Sequence, residues 1–235
     1  MKKIDTGTDH LIASKKDGVG VLTLNRPEAR NAMSSEMNQA LREMLAQFEM
    51  DNEIRSIILT GSGKGFCAGG DVKGMAAAGD GTVGKNTIDA AIHRQREHQR
   101  ATSGKLFKMP KPTLASLPGA AAGAGLSYAL ACDLRIMAST AIMTTAFAKV
   151  GFSGDYGGSY FMTQLVGSAK ARELYYLSER VSAAEALSLG LTNWVCEPEQ
   201  LEEKTMEIAV KLANGPSVAY SYMKENLNRA MSGEV

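Results

Sequence analysis

In Thr113-Leu114-Ala115-Ser116-Leu117-Pro118-Gly119-Ala120-Ala121-Ala122-Gly123-Ala124-Gly125 an apolar strand gives way, through seven small residues, to a helical run from Leu126 to Ala131. A junction of this kind exposes backbone N–H groups at a helix N-terminus, where no bulky side chain blocks an approaching oxygen. It reads as a place where negative charge can develop. Downstream, the loop Gly151-Phe152-Ser153-Gly154-Asp155-Tyr156-Gly157-Gly158 holds one carboxylate, Asp155, among residues too small or too apolar to neutralise it. Together the two segments pair anion stabilisation with a proton carrier.

Towards the N-terminus, Leu11 to Ser14 and Val19 to Leu24 read as strands of a hairpin joined through Lys16-Asp17-Gly18. The following Asn25-Arg26-Pro27-Glu28-Ala29-Arg30-Asn31-Ala32 breaks the strand at its proline. Ser34 or Ser35 then caps a helix through Met50, with Met37, Leu41, Met44, Leu45 and Phe48 on one face. A buried strand, Ile54 to Thr60, ends at Gly61-Ser62-Gly63-Lys64-Gly65. Next, Gly65-Phe66-Cys67-Ala68-Gly69-Gly70-Asp71-Val72-Lys73 is a second stretch of bare backbone, entering a helix near Asp71. Two exposed amides, one from each glycine-rich loop, make a two-donor oxyanion hole if the fold brings them together. Spacing alone does not show that they meet.

The balance of 26 basic and 25 acidic residues, net charge +1, with 44% hydrophobic content, fits one globular domain and implies neither nucleic acid nor membrane as partner. Cys67, Cys132 and Cys196 lack metal-ligand spacing, so they read as buried hydrophobes in a reducing, cytoplasmic setting. No run approaches the ~18 apolar residues of a membrane span. Gly74 to Lys85 has the composition of a flexible lid, and Ile88 to Phe107 that of a helix bearing the basic octet His93 to Arg100. His93 and His98 are five apart, not the four of a helical zinc pair, so no metal is expected. Further on, Ala169 to Leu177 is helical, and Ser182-Ala183-Ala184-Glu185 is a capping box. Leu191 to Val195 reads as a strand, and Leu201 to Leu212 and Val218 to Met231 as amphipathic helices.

Taken in order, Leu24-Asn25-Arg26-Pro27 to Ala32, Gly65 to Lys73, Ala120 to Ile136 and Lys149 to Phe161 resemble the crotonase, or enoyl-CoA hydratase/isomerase, superfamily, over roughly Leu11 to Leu227. The resemblance implies an α/β fold, a crotonase-like spiral of ββα units over residues 1–190, with a helical C-terminal region over 191–235. It also implies an acyl-CoA thioester substrate, coenzyme A being part of the substrate so that no separate cofactor is called for, and a homotrimer or dimer of trimers. By motif position, the oxyanion-hole amides fall on Gly70 and Ala124. The CoA-binding positions fall on Ala29, Arg30 and Ala68, with Lys73 as a phosphate contact, and the substrate pocket on Ser127, Phe147, Phe152 and Met75. Members usually continue through another helix beyond the point where this chain stops, so the 191–235 region is expected to be shortened or incomplete.

The departures narrow the chemistry. Hydratases of the superfamily carry two glutamates where this chain has Ser127 and Phe147, and a phenyl ring can neither hold nor deprotonate water. Asp155 sits where superfamily isomerases, and some acyl-CoA hydrolases, place an acid. The combination looks most like the 1,2-epoxyphenylacetyl-CoA isomerase group. The expected activity is therefore an acyl-CoA isomerase in which Asp155 shuttles a proton across an enolate. The alternatives are an enoyl-CoA hydratase, an acyl-CoA hydrolase, and a non-catalytic acyl-CoA- or RNA-binding oligomer.

Each residue also has a plainer reading. Asp155 could be a turn residue between glycines. Gly123 and Gly125 begin a dinucleotide-binding pattern, but Tyr128 replaces its third glycine. Ser127 stands in Gly125-Leu126-Ser127-Tyr128-Ala129, which lacks the second glycine of a nucleophile elbow.

Overall fold

The computed structural model describes residues 1–71 and 87–233. Strands β1 (Lys2–Ile4), β2 (Leu11–Lys16) and β3 (Val19–Leu24) form an antiparallel meander. The β2–β3 turn places Asp17 and Gly18 at φ of 52° and 78°, the paired positive values of a tight hairpin turn. After α1 (Ser35–Met50), capped by Ser34 Oγ accepting from the Met37 N–H, the chain begins a repeating pattern. Strands β4 (Ser56–Gly61) and β5 (Gly65–Cys67), then β6 (Thr113–Leu117) and β7 (Ala120–Ala122), then β8 (Leu134–Ala138) and β9 (Ile142–Thr144) come in pairs. The first of each pair enters a seven-stranded sheet of order β1-β2-β3-β4-β6-β8-β11, and the second a four-stranded sheet of order β10-β9-β7-β5. Here β10 is Val181–Ser182 and β11 is Trp194–Cys196. Each turn of the chain thus advances both sheets by one parallel neighbour, which is a spiral of strand pairs and helices.

The helices are α2 (Ile88–Ala101), α3 (Ser103–Lys108), α4 (Ala124–Ala131), α5 (Gly158–Leu177), α6 (Ala183–Ser188), α7 (Leu201–Ala213) and α8 (Ser217–Ser232), numbered after α1 among the described residues. The core lies on both faces of the larger sheet. On one face, Gly20 leaves room for the Phe48 ring of α1, whose Met37, Leu41, Leu45 and Phe48 are wholly buried. On the other, α7 docks through Ser56 Oγ, which donates to the Ala209 carbonyl at 2.8 Å, and through the Ser116–Thr205 hydroxyl pair at 2.8 Å. The last helix, α8, is tied down by a buried ammonium group. Lys224 Nζ donates to the carbonyls of Leu106 and Lys111 and to Asp133 Oδ2, which satisfies all three of its protons.

Several boundaries differ from expectation for identifiable reasons. The helical run from Ile88 to Phe107 breaks at Thr102, whose backbone (φ −118°, ψ −88°) leaves the helix and whose hydroxyl donates to the His98 carbonyl. Helix α5 begins eleven residues before Ala169 and is interrupted at Gly167 (φ 75°), so the segment before the break escaped a search for helical periodicity. The alanines of β7 form a strand although alanine favours helices, because β5 and β9 pair with them on either side. The C-terminal edge strand is Trp194–Cys196, shifted from Leu191–Val195, since the Leu191 N–H donates to the Ala186 carbonyl of α6 and pairing with β8 begins only where the Asn193 N–H donates to the Arg135 carbonyl. It pairs with β8, so the strand expected near residue 191 joins the larger sheet ahead of the C-terminal helices. The expected helix after Asp71 and the lid over Gly74 to Lys85 lie outside the described residues.

Packing between the two glycine loops is tight. A β-carbon on Gly125 would come within 2.5 Å of the Cys67 carbonyl and 2.7 Å of its sulfur, so α4 can approach β5 only with hydrogen at this position. Gly125→Ala is expected to lower stability by about 1–3 kcal/mol, the usual cost of overpacking. Gly65→Ala, which meets nothing within 4 Å, should stay within about 0.5 kcal/mol of the parent. Urea denaturation midpoints of the two variants check the contrast.

Candidate active site

The parallel pairing of β5 with β7 carries the two glycine-rich loops to the same end of the smaller sheet. Gly69 adopts φ of +93°, and a β-carbon there would lie 2.9 Å from the Ala122 carbonyl and 3.3 Å from the Ala124 nitrogen. The loops therefore meet backbone to backbone. Gly70 forms an isolated parallel bridge with Met33, whose N–H donates to the Gly69 carbonyl at 2.8 Å. In such a bridge the N–H of Gly70 itself faces away from Met33. Ala124 is the first residue of α4, so its N–H has no acceptor within the helix. Gly123 precedes it with φ of 53° and donates its own N–H to the Thr144 carbonyl.

Gly70 and Asp155 line one cavity of about 510 Å³, together with Arg26, Glu36, Asp71 and His98 among others. The three carboxylates among its described lining residues differ in their surroundings. Asp71 Oδ2 accepts from Arg26 at 3.0 Å, and Glu36 lies 2.8 Å from His10. Asp155 Oδ1 is buried and has no hydrogen-bond partner among the described residues. Burial pushes the Asp155 carboxyl up from its ordinary value to about 6, because the charged form loses hydration that nothing nearby replaces. A second cavity of about 530 Å³ lies between the larger sheet and α7, but there the hydroxyls of Thr60, Ser116 and Thr205 are bonded to one another or to backbone. The chemistry therefore points to the Asp155 cavity.

Ser127 is almost wholly buried, and its Oγ donates to the Asp155 carbonyl at 3.0 Å, which braces the Asp155 loop. Phe147 is also buried, stacked on Tyr175 at 5.9 Å and lying against Gly154, immediately before Asp155. Phe152 is 57% exposed and contributes no comparable cover. Asp155 in turn helps raise the Tyr156 hydroxyl to about 12 and the Tyr175 hydroxyl further, burial being the larger cause for both. Ala29, Arg30 and Ala68 come together where the Ala68 N–H donates to the Arg30 carbonyl at 3.0 Å, two residues from Gly70. Arg30 is exposed, with φ of 52°. Met75 and Lys73 lie outside the described residues. Two groups were missed by motif, Gln99 and Tyr175, which reach the Asp155 loop from helices whose packing no local spacing encodes, while Tyr156, within the loop itself, was not singled out.

A model of a family described as enoyl-CoA hydratase/isomerase matches residues 14–235. The chain belongs to this family. It is 34% identical to a 1,2-epoxyphenylacetyl-CoA isomerase of Escherichia coli over 222 residues, 94% of this chain and 83% of that one. It is 32% identical to a short-chain-enoyl-CoA hydratase of Clostridium acetobutylicum over 232 residues, 97% of this chain and 84% of that one. A solved enoyl-CoA hydratase from Polaromonas sp. JS666 superposes with a TM-score of 0.86 at 34% identity, covering 94% of this chain and 84% of that one. The fold is thus the crotonase fold, and the family's substrates are acyl-CoA thioesters. The relatives' names divide between isomerase and hydratase. No helix among the described residues is long and apolar enough to cross a membrane.

The raised carboxyl has a consequence for stability. Between the unfolded value near 4 and about 6, the native state holds a proton on Asp155 that the unfolded state releases, so stability falls as pH rises through this window. Asp155→Asn removes a buried charge and is expected to stabilise the fold at pH 7–8 by about 1 kcal/mol, a figure already reduced for partial exposure. The gain should vanish below pH 4. Thermal midpoints of the two proteins across that range test it.

Proposed function

We propose that this protein is an acyl-CoA isomerase whose proton carrier is Asp155, acting beside an oxyanion hole made by the N–H groups of Gly70 and Ala124. The observation that carries the reading is the contrast among the cavity's carboxylates. Asp71 and Glu36 are engaged by Arg26 and His10, whereas a buried oxygen of Asp155 is unpartnered. A base held out of water with a value near neutrality can both take a proton and return it.

In this reading the thioester oxygen enters the hole and polarises the acyl group, so the adjacent C–H becomes acidic. Asp155 removes that proton, an enolate or dienolate forms, and the same carboxyl delivers the proton to another carbon. Each hole donor contributes about 3 kcal/mol of transition-state stabilisation, since it is aimed before the charge appears. One carboxyl suffices because proton loss and gain occur in succession. Hydration instead requires water to be held and activated, and Phe147 and the engaged Ser127 offer no second acid for it. Coenzyme A arrives with the substrate along Ala29, Arg30 and Ala68, and the proton chemistry calls for no further cofactor. We extend the proposal to a homotrimer or dimer of trimers, with the exposed apolar side chains Val218, Tyr222, Met223 and Leu227 of α8 as support.

Purified protein and its Asp155→Asn variant should be given 2-enoyl-, 3-enoyl- and epoxide-ring acyl-CoA substrates, with products separated chromatographically. Double-bond or ring rearrangement should occur, fall by ~10²-fold or more in the variant, and depend on a group that must ionise near pH 6. Efficient hydration that survives Asp155→Asn would overturn the mechanism, and release of free CoA would replace it with hydrolysis.

A further inference from the structure

The peptide unit joining Asp155 to Tyr156 is held at both of its polar atoms. Its carbonyl accepts from Ser127 Oγ and from the Gly158 N–H, each at 3.0 Å. Its N–H, on Tyr156, donates to Gln99 Oε1 at 3.0 Å. These partners come from α4, α5 and α2, three elements remote in sequence from the loop or from one another. Tyr156 is buried with φ of +51°, a conformation that bulky L-residues do not choose unaided and that persists only where surroundings determine it. Its ring lies edge-on to the buried Tyr128 at 5.1 Å, and Tyr128 Oη donates to Asn38 Oδ1, so side-chain packing holds the residue from the other direction.

The orientation of that peptide plane governs where the Asp155 side chain leaves the backbone. We infer that Gln99 is a positioning residue, whose side-chain carbonyl fixes the Asp155–Tyr156 peptide and thereby the direction in which the Asp155 carboxyl enters the cavity. This rests on the catalytic role proposed for Asp155. Gln99 is itself braced, since its backbone carbonyl accepts from Ser103 Oγ at 3.1 Å where α2 gives way to α3. The neighbouring Gln95 and His98 line the same cavity as Asp155. One helix thus walls the substrate space and aims the acid that works within it.

Gln99→Met keeps the length of the side chain and replaces the amide oxygen with a thioether, only a weak acceptor, so the Tyr156 N–H loses its strong partner; Gln99→Glu retains a strong acceptor. Both should be compared with the parent and with Asp155→Asn for kcat, KM, thermal midpoint and the carboxyl titration of Asp155 by ¹³C NMR. Gln99→Met is expected to lower kcat ~10²-fold, the scale of a small misplacement of a reacting group, with KM within about twofold. Its Asp155 titration should move down from about 6 towards the ordinary carboxylate range as the carboxyl gains water. Gln99→Glu should recover most of kcat. Parent-like kcat and an unmoved titration in Gln99→Met would overturn the inference. So would a loss in Gln99→Glu equal to that in Gln99→Met and matched by equal falls in thermal midpoint, which marks a purely structural contact. Activity surviving in Asp155→Asn would remove the role of Asp155 itself, while the titration in Gln99→Met would still decide whether Gln99 aims the carboxyl.

Discussion

Backbone contact between the turn at Gly69 and the turn at Ala122 to Ala124 is the constraint on which the candidate site depends. The spiral lays β5 and β7 side by side, and the strands can run on into adjacent loops only where no β-carbon intervenes. Gly69 at positive φ and Gly125 against Cys67 meet that requirement. The result is that the two loops touch backbone to backbone, the Ala122 carbonyl and the Ala124 nitrogen lying beside Gly69. In the proposed function, donors held by packing within the sheet need not reorganise as charge develops.

Around that junction the polar groups divide into two sorts. Most are engaged: Asn31 bridges the Ser62 and Gly65 carbonyls beneath the Gly70 loop, and Arg26 joins the Ala32 carbonyl to Asp71. Buried polar groups in a folded chain ordinarily find such partners. Two buried atoms depart from this among the described residues, Arg26 Nε, whose guanidinium is otherwise engaged, and Asp155 Oδ1, the carboxylate case, beside the Phe147–Tyr175 stack. A folded chain tolerates that unfavourable arrangement when the surrounding contacts hold it in place, and here they act on the Asp155 backbone from Ser127, Gly158 and Gln99. The strain is local to the loop, whereas the contacts that sustain it extend across three helices.

Much of the architecture was legible because it is written locally. The Asp17-Gly18 turn, the Ser34 cap, the Ser182–Glu185 capping contact and the amphipathic face of α1 each follow from residues within a few positions of one another. Where the reading slipped, the deciding partner was distant. Ala120 to Ala122 is extended because neighbouring strands pair with it, and residues 158–166 are helical although Gly167 interrupts the periodicity beyond them. Ser127 was read as a pocket residue, yet its hydroxyl is consumed by the Asp155 carbonyl twenty-eight positions away.

The sequence by itself determined the Val19–Leu24 hairpin strand and its partner, the helix capped at Ser34, the small-residue loops that leave amides bare, and the presence of a single aspartate in the Gly151 to Gly158 segment. These depend on backbone freedom, helix capping and side-chain period, all of which act over a few residues. Only the tertiary structure decided that the two loops touch, that Asp155 stands in the cavity with Gly70 while other carboxylates are paired off, and that Gln99 and Ser127 grip its backbone. Desolvation and hydrogen-bond satisfaction depend on what surrounds a group in space, and those surroundings are assembled from segments as far apart in sequence as His10 and Tyr156.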